Sequence, residues 1–167
     1  MSLREIERAS IIKFLTDNQH LFNGKQVLDY GSGRQPYRQL IEDAGGVYYA
    51  YDMTTFPASV TTTDFLATDA YRVDIIVCTQ VIQYCRDPWS FVSHLAEWFT
   101  EEGGVLLMTG PESWPRVEPE DKWRMSARAV WHLLDEAGFS SFMVEERAHV
   151  MFENERWVIG WQARAEL

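Results

Sequence analysis

The sequence predicts an open, doubly wound α/β sheet, and three observations predict it. Strand-like and helix-like segments alternate along almost the whole chain. The strand-like segments are short continuous apolar runs such as Ile75-Ile76-Val77-Cys78 and Val105-Leu106-Leu107-Met108. Runs without polar alternation belong to parallel strands buried on both faces. The last two strand-like segments have no helix between them. A hairpin there adds one antiparallel strand at the edge.

The elements follow in order. Ser2 and Glu5 make a capping-box pattern that opens a helix through Leu15, with Ile11, Phe14 and Leu15 as its apolar stripe. Asn23-Gly24 is a turn, and Val27-Leu28-Asp29 is the first strand. Pro36 opens a helix striped by Tyr37, Leu40, Ile41 and Ala44, and Gly45 stops it. Val47 to Asp52 is the second strand, and the β-branched run Val60 to Thr63 is a third. Asp74 to Cys78 is the fourth and clearest. Asp87-Pro88 starts a helix striped by Val92, Leu95, Ala96 and Phe99, and Gly103-Gly104 ends that unit before the fifth strand, Val105 to Met108. Three prolines make Pro111 to Lys122 a loop. Ser126 caps a helix striped by Val130, Leu133, Leu134 and Ala137. Two strands, near Phe142-Met143-Val144 and Trp157-Val158-Ile159, flank a Glu153-Asn154 turn.

Length and charge bound the function. A chain of 167 residues is expected to be one domain, 1–167, with residues 1–22 as an N-terminal helical segment. The balance of 15 Lys+Arg against 25 Asp+Glu gives a net charge of −10, which disfavours a nucleic-acid partner. No apolar run is long enough to span a membrane, and Met1 to Arg8 is too charged for a signal-peptide core. The expectation is a cytoplasmic protein with no membrane partner. Cys78 and Cys85 make no disulfide framework, and the four histidines have no metal-ligand spacing, so no metal is expected.

The segment that carries chemistry is Asp29-Tyr30-Gly31-Ser32-Gly33, directly after the first strand. In an open α/β sheet, ligands bind outside the carboxyl ends of the strands. A Gly-x-Gly turn there lets a ligand approach the backbone with no Cβ in the way. Taken alone it reads as a tight strand–helix connection. Its surroundings add acids: Asp52 ends the second strand, where a carboxylate accepts ribose hydroxyls, and Asp64 follows the third. Pro36 occupies the last glycine position of a nicotinamide-type Gly-x-Gly-x-x-Gly, and Asp29 would face a pyrophosphate. Both weigh against a nicotinamide oxidoreductase.

This constellation, with the Gly103-Gly104 turn before the fifth strand, resembles the class I S-adenosylmethionine-dependent methyltransferases. The stretch Asp29 to Tyr37, with its Gly-x-Gly-x-x-Pro-Tyr turn, is similar to a small methyltransferase-domain branch, as are Cys78 to Tyr84 and Trp114-Pro115. The resemblance implies a Rossmann-like sheet of seven strands in order 3-2-1-4-5-7-6, with one antiparallel strand. It implies S-adenosylmethionine as cofactor, bound by Asp29, Gly31, Gly33, Asp52, Met53, Asp64, Phe65, Thr79 and Gln80. The activity implied is in-line methyl transfer to a small-molecule or saccharide acceptor. The alternative is a non-catalytic protein of that fold that binds the cofactor or a protein partner. Tyr84 is the candidate catalytic residue, and Tyr37, Trp114, Trp123 and Arg124 are the candidate acceptor pocket. The sequence departs from the family's pattern where Gln35 stands for a third glycine and Gln83-Tyr84 stand for Glu-His.

Overall fold

A computed structural model describes residues 2–53, 72–113, 119–152 and 154–167. Strands β1 (Gln26–Tyr30), β2 (Val47–Tyr51), β3 (Ile75–Thr79), β4 (Val105–Pro111), β5 (Ser141–Phe152) and β6 (Glu155–Glu166) form one sheet in the order β2-β1-β3-β4-β6-β5. β1 to β4 are mutually parallel, and β6 runs antiparallel to both β4 and β5. This is the expected order without its first member. Six strands are seen among the described residues instead of seven. The remaining expected strand, Val60 to Thr63, lies outside the described residues.

Helices α1 (Leu3–Asp17) and α2 (Arg38–Asp43) cover one face, and α3 (Pro88–Ala96) and α4 (Ala127–Glu136) the other. The parallel strands separate their side chains by parity. Val27, Ile75 and Val77 meet Ile11, Phe14, Leu15 and Ile41, while Leu28, Ile76 and Cys78 meet Val92, Leu95, Val130 and Leu134. Alternate residues of a strand point to opposite faces, so an all-apolar strand needs both layers.

The helix starts are set by side chains. Ser2 and Glu5 form both halves of the capping box on α1. Asp87 accepts from Trp89 N at the start of α3, and Ser126 accepts from Ala129 N at the start of α4. The final hairpin is longer than its apolar runs suggest, at 12 residues per strand. Its polar positions pair across the ladder, with Gln162 donating to Glu145 at 3.1 Å and Arg156 to Glu146 at 3.4 Å, so charge does not end the strands. β6 lies beside β4 with Ala163 opposite Met108 and Gly160 opposite Pro111.

Candidate functional site

The strand order places β1 between β2 and β3, so the chain winds outward on one side of β1 and returns on the other. The crevice above such a reversal is where open α/β sheets bind ligands. A cleft of about 960 Å³ opens there, walled by Tyr30, Gly31, Tyr51, Asp52, Gln80, Val81, Tyr84 and Phe91, with others at its rim.

The turn after β1 is closed by hydrogen bonds to the end of β2. Gly31 N and Ser32 N both donate to Tyr51 O, at 2.8 and 3.0 Å. Gly33 N donates to Asp52 Oδ2 at 2.9 Å. Both glycines hold left-handed backbones, φ 77° at Gly31 and 52° at Gly33. At Gly31 a Cβ would overlap Val81, which brings the β1 turn against the segment after β3. Gln35 also has a left-handed backbone, φ 56°, and its N–H donates to Ser32 O at 2.7 Å. The position where the family pattern has a glycine therefore keeps the glycine conformation with a side chain in place.

Asp29 lies beneath this turn, almost wholly buried. Burial pushes its carboxyl up to about 7, against the hydrogen bond from Tyr48, and the neighbouring Asp52 carboxylate adds to the rise. Tyr30 packs against Tyr51 and Phe91, with ring centroids 4.8 and 5.5 Å apart, and forms an aromatic wall. Cys85 borders the cleft, and burial lifts its thiol to about 11, against the nearby Lys122 charge, so it is a protonated thiol at neutral pH.

Of the expected cofactor residues, Gly31, Asp52, Met53 and Gln80 line the cleft. Met53 is 88% exposed at its mouth. Gly33 and Asp29 support the turn from beside and below. Thr79 is buried at the end of β3. Asp64 and Phe65 lie outside the described residues. Tyr84 lines the cleft on the side of the segment after β3.

None of Tyr37, Trp123 and Arg124, the acceptor candidates among the described residues, is among the residues that line the cleft. Tyr37 is buried among the α1 and α2 side chains, whereas Trp123 packs on the face covered by α3 and α4. Trp123 Nε1 donates to Cys85 O at 2.9 Å, and its ring meets Trp89 edge-on at 6.4 Å. Arg124 Nη2 donates to Asp121 Oδ2 at 2.7 Å, which ties the loop to itself. Trp114 lies outside the described residues. The sequence reading also passed over Tyr30, Tyr51, Phe91, Arg86 and Lys122, all of which line the cleft. The signal for Phe91 is its place one turn into the helix that Asp87-Pro88 begins. No sequence signal marks Lys122.

A family model described as a methyltransferase domain matches residues 3–155. Among solved structures, a SAM-dependent methyltransferase from Archaeoglobus fulgidus is 13% identical with a TM-score of 0.74, covering 96% of this chain and 94% of its own. A 1,6-didemethyltoxoflavin-N1-methyltransferase from Burkholderia thailandensis, solved with 1,6-didemethyltoxoflavin and S-adenosylhomocysteine, is 14% identical with a TM-score of 0.67 over 95% and 76%. Magnesium protoporphyrin IX methyltransferase from Synechocystis PCC 6803, solved with bound S-adenosylhomocysteine, is 14% identical with a TM-score of 0.61 over 97% and 82%. Among curated proteins the chain has no match. At these identities the structural likeness establishes the fold.

Proposed function

The chain belongs to the methyltransferase-domain family whose model spans it, and from that premise we propose that it transfers a methyl group from S-adenosylmethionine to a small-molecule or saccharide acceptor. The observation that carries the reading is the Gly31–Gly33 turn closed onto Asp52 at the mouth of the cleft above β1. Two of the structural neighbours were solved with S-adenosylhomocysteine, and one of them with a small-molecule ligand as well.

The residues fit this cofactor. Gly31 presents bare backbone to the cleft, so the amino-acid end has room to lie against the turn. Asp52 lines the cleft, where its carboxylate would meet the ribose hydroxyls. Tyr30, Tyr51 and Phe91 supply an apolar wall that excludes water. When bound, the cofactor supplies an electrophilic methyl group on a sulfonium. What the protein contributes is alignment of the acceptor atom with the carbon–sulfur bond, which is where most of the acceleration of an in-line displacement arises. In this proposal Tyr84, which lines the cleft, orients an acceptor with its phenol. Its role in this proposal is a hydrogen bond to the acceptor rather than proton removal.

A non-catalytic, cofactor-binding protein is the second reading. One observation favours it: no histidine lines the cleft among the described residues, and Cys85 holds its proton at neutral pH.

Thermal denaturation with S-adenosylhomocysteine and, separately, with NAD tests the cofactor. A ligand present at about 100 times its Kd stabilises the folded state by about 2.7 kcal/mol, a rise of roughly 5–10 °C in Tm for a domain of this size. S-adenosylhomocysteine is expected to give that rise and NAD none. The reverse result would overturn the proposal. Transfer of labelled methyl to hydroxyl, amine and thiol acceptors then separates the two readings, since binding without transfer to any of them supports the second.

A further inference from the structure

Two segments far apart in sequence build one rim of the cleft. The loop before α4 is tied to the turn after β3 by four hydrogen bonds. Lys122 N and Trp123 N donate to Gln83 O at 2.7 and 3.3 Å. Lys122 Nζ donates to Tyr84 O at 3.1 Å, and Trp123 Nε1 donates to Cys85 O at 2.9 Å. This clamp fixes Lys122 on the wall that Tyr84 and Arg86 also line.

Two cations, Arg86 and Lys122, share this cleft. The net charge is −10, so acids are plentiful. Lys13, Lys25, Arg38, Arg124, Arg147, Arg156 and Arg164 each sit within an ion pair. Among the described residues Arg4, Arg8, Arg34, Arg72, Arg86, Lys122 and Arg128 are in no ion pair, and of these Arg86 and Lys122 line the same cleft. The acids that share the cleft are engaged elsewhere. Asp87 accepts from Trp89 N through Oδ1 at 3.0 Å and from Ser90 Oγ through Oδ2 at 2.6 Å. Asp52 accepts from Gly33 N on the opposite wall.

Resting on the methyltransferase reading, we propose that the acceptor is an anion, a small molecule bearing a carboxylate or phosphate that Arg86 and Lys122 hold at the rim beside Tyr84. Arg86 offers a planar fork that matches either group with two parallel hydrogen bonds. Lys122 spends one N–H on Tyr84 O and keeps two for the ligand. An anion approaching a protein of net charge −10 meets a repulsive field over most of the surface. A local pair of cations that are in no ion pair then gives the anion a point of attachment and sets its orientation. The anionic end sits at the rim, and the atom to be methylated points inward past Tyr84.

The test uses inorganic phosphate and malonate as probes, with and without S-adenosylhomocysteine, at low ionic strength and against sodium chloride of equal ionic strength. Melting temperature and calorimetric affinity are read for the native protein, for Arg86→Ala/Lys122→Ala, and for Arg4→Ala on the exposed part of α1 as a charge control. At least one probe is expected to raise the melting temperature above the chloride control with the cofactor product bound. The double variant is expected to lose at least tenfold in probe affinity, and Arg4→Ala to change nothing. No response beyond chloride, or a response that survives in the double variant, overturns the proposal. So does competition between probe and S-adenosylhomocysteine, which would assign the two cations to the cofactor. Failure of S-adenosylhomocysteine to bind sinks the methyltransferase reading instead, and the anion response without it still reports on the rim.

Discussion

Tyr48 Oη donates a 2.7 Å hydrogen bond to Asp29 Oδ2, from β2 to β1, beneath the Gly31–Gly33 turn. Arg38 lies 5.5 Å above the Tyr48 ring and holds it from the solvent side. A carboxyl this deeply buried is expensive to ionise, and the phenol offsets only part of that cost. The site therefore carries its acid close to the point of titration, with a pKa of about 7.

This gives a pH dependence of stability with a definite sign. Unfolded, Asp29 ionises near 3.9; folded, it keeps its proton until about 7. Between these values the folded state binds more protons than the unfolded state, so stability falls as pH rises through the window. The ceiling is roughly 4 kcal/mol for three pH units at 1.36 kcal/mol each. Asp29→Asn is expected to flatten this part of the profile. Tyr48→Phe removes the bond that favours the carboxylate and is expected to extend the fall to higher pH, costing about 1–3 kcal/mol at pH 7.5. Urea denaturation at several pH values between 4.5 and 8 checks both. A flat native profile would remove Asp29 as the titrating group.

Asp52 faces two demands, the Gly33 N–H and the cleft. If its carboxylate receives the ribose hydroxyls, Asp52→Ala loses hydrogen bonds to a charged group worth ~1.5–3 kcal/mol. Affinity for S-adenosylhomocysteine should then fall about tenfold to a hundredfold. Asp52→Asn keeps an acceptor for Gly33 and is expected to lie between. Calorimetry on folded variants measures this, and unchanged affinity would take Asp52 out of the cofactor site.

Gly31 and Gly33 share a left-handed backbone but differ in their surroundings. A Cβ at Gly33 meets nothing within 4 Å, whereas at Gly31 it overlaps Val81. Gly33→Ala should cost only the left-handed penalty, roughly 1–2 kcal/mol. Gly31→Ala adds the overlap, a further ~1–3 kcal/mol. Val81→Ala in the Gly31→Ala background should recover the added part, seen as a coupling energy of about 0.5–3 kcal/mol in a double-mutant cycle. Equal losses for the two alanine variants would show that the approach of Val81 does not matter.

The legibility of the site follows from how local each determinant is. The Gly-x-Gly turn, the Asp52 strand end and the three helix caps are set by residues within a few positions of one another, and all could be read in order. Gln35 shows the limit of that reading. Its side chain hides a left-handed backbone, because Ser32 O draws its N–H into the turn, so the missing glycine understated the likeness of the turn. The acceptor candidates depend on tertiary placement instead. Tyr37, Trp123 and Arg124 have suitable chemistry, but Tyr37 packs with the α1 and α2 side chains, Trp123 packs with those of α3 and α4, and Arg124 pairs with Asp121. The Lys122 rim depends on bonds from its main-chain N and its Nζ to carbonyls 39 and 38 positions earlier, which no local pattern encodes.

The N-terminal helix gives the last prediction. Arg147 on β5 is 3% exposed and reaches into α1, donating to Glu7 O at 3.2 Å, to Ser10 Oγ, and to Glu7 Oε1 at 3.5 Å. Its Nε donates to Trp161 O at 3.4 Å. Burial raises the Glu7 carboxyl, and the Arg147 charge and hydrogen bond oppose the rise. Removing the cation leaves Glu7 in a half-buried place without its partner, and breaking a buried pair in this way costs about 3–5 kcal/mol. Arg147→Met is therefore expected to destabilise the domain by roughly the lower part of that range, since Glu7 is not fully buried. Glu7→Gln added to it should recover a part, because the uncompensated charge is then gone. Without Arg147 the Glu7 pKa lies still higher when folded, so the variant should gain stability relative to the native protein as pH falls from 7 to 5. Hydrogen exchange locates the damage. Loss of protection confined to α1, with β1 and β3 still protected, is the result expected of a clasp between helix and hairpin. Uniform loss across the sheet would mean that Arg147 supports the core as a whole and does not specifically hold α1.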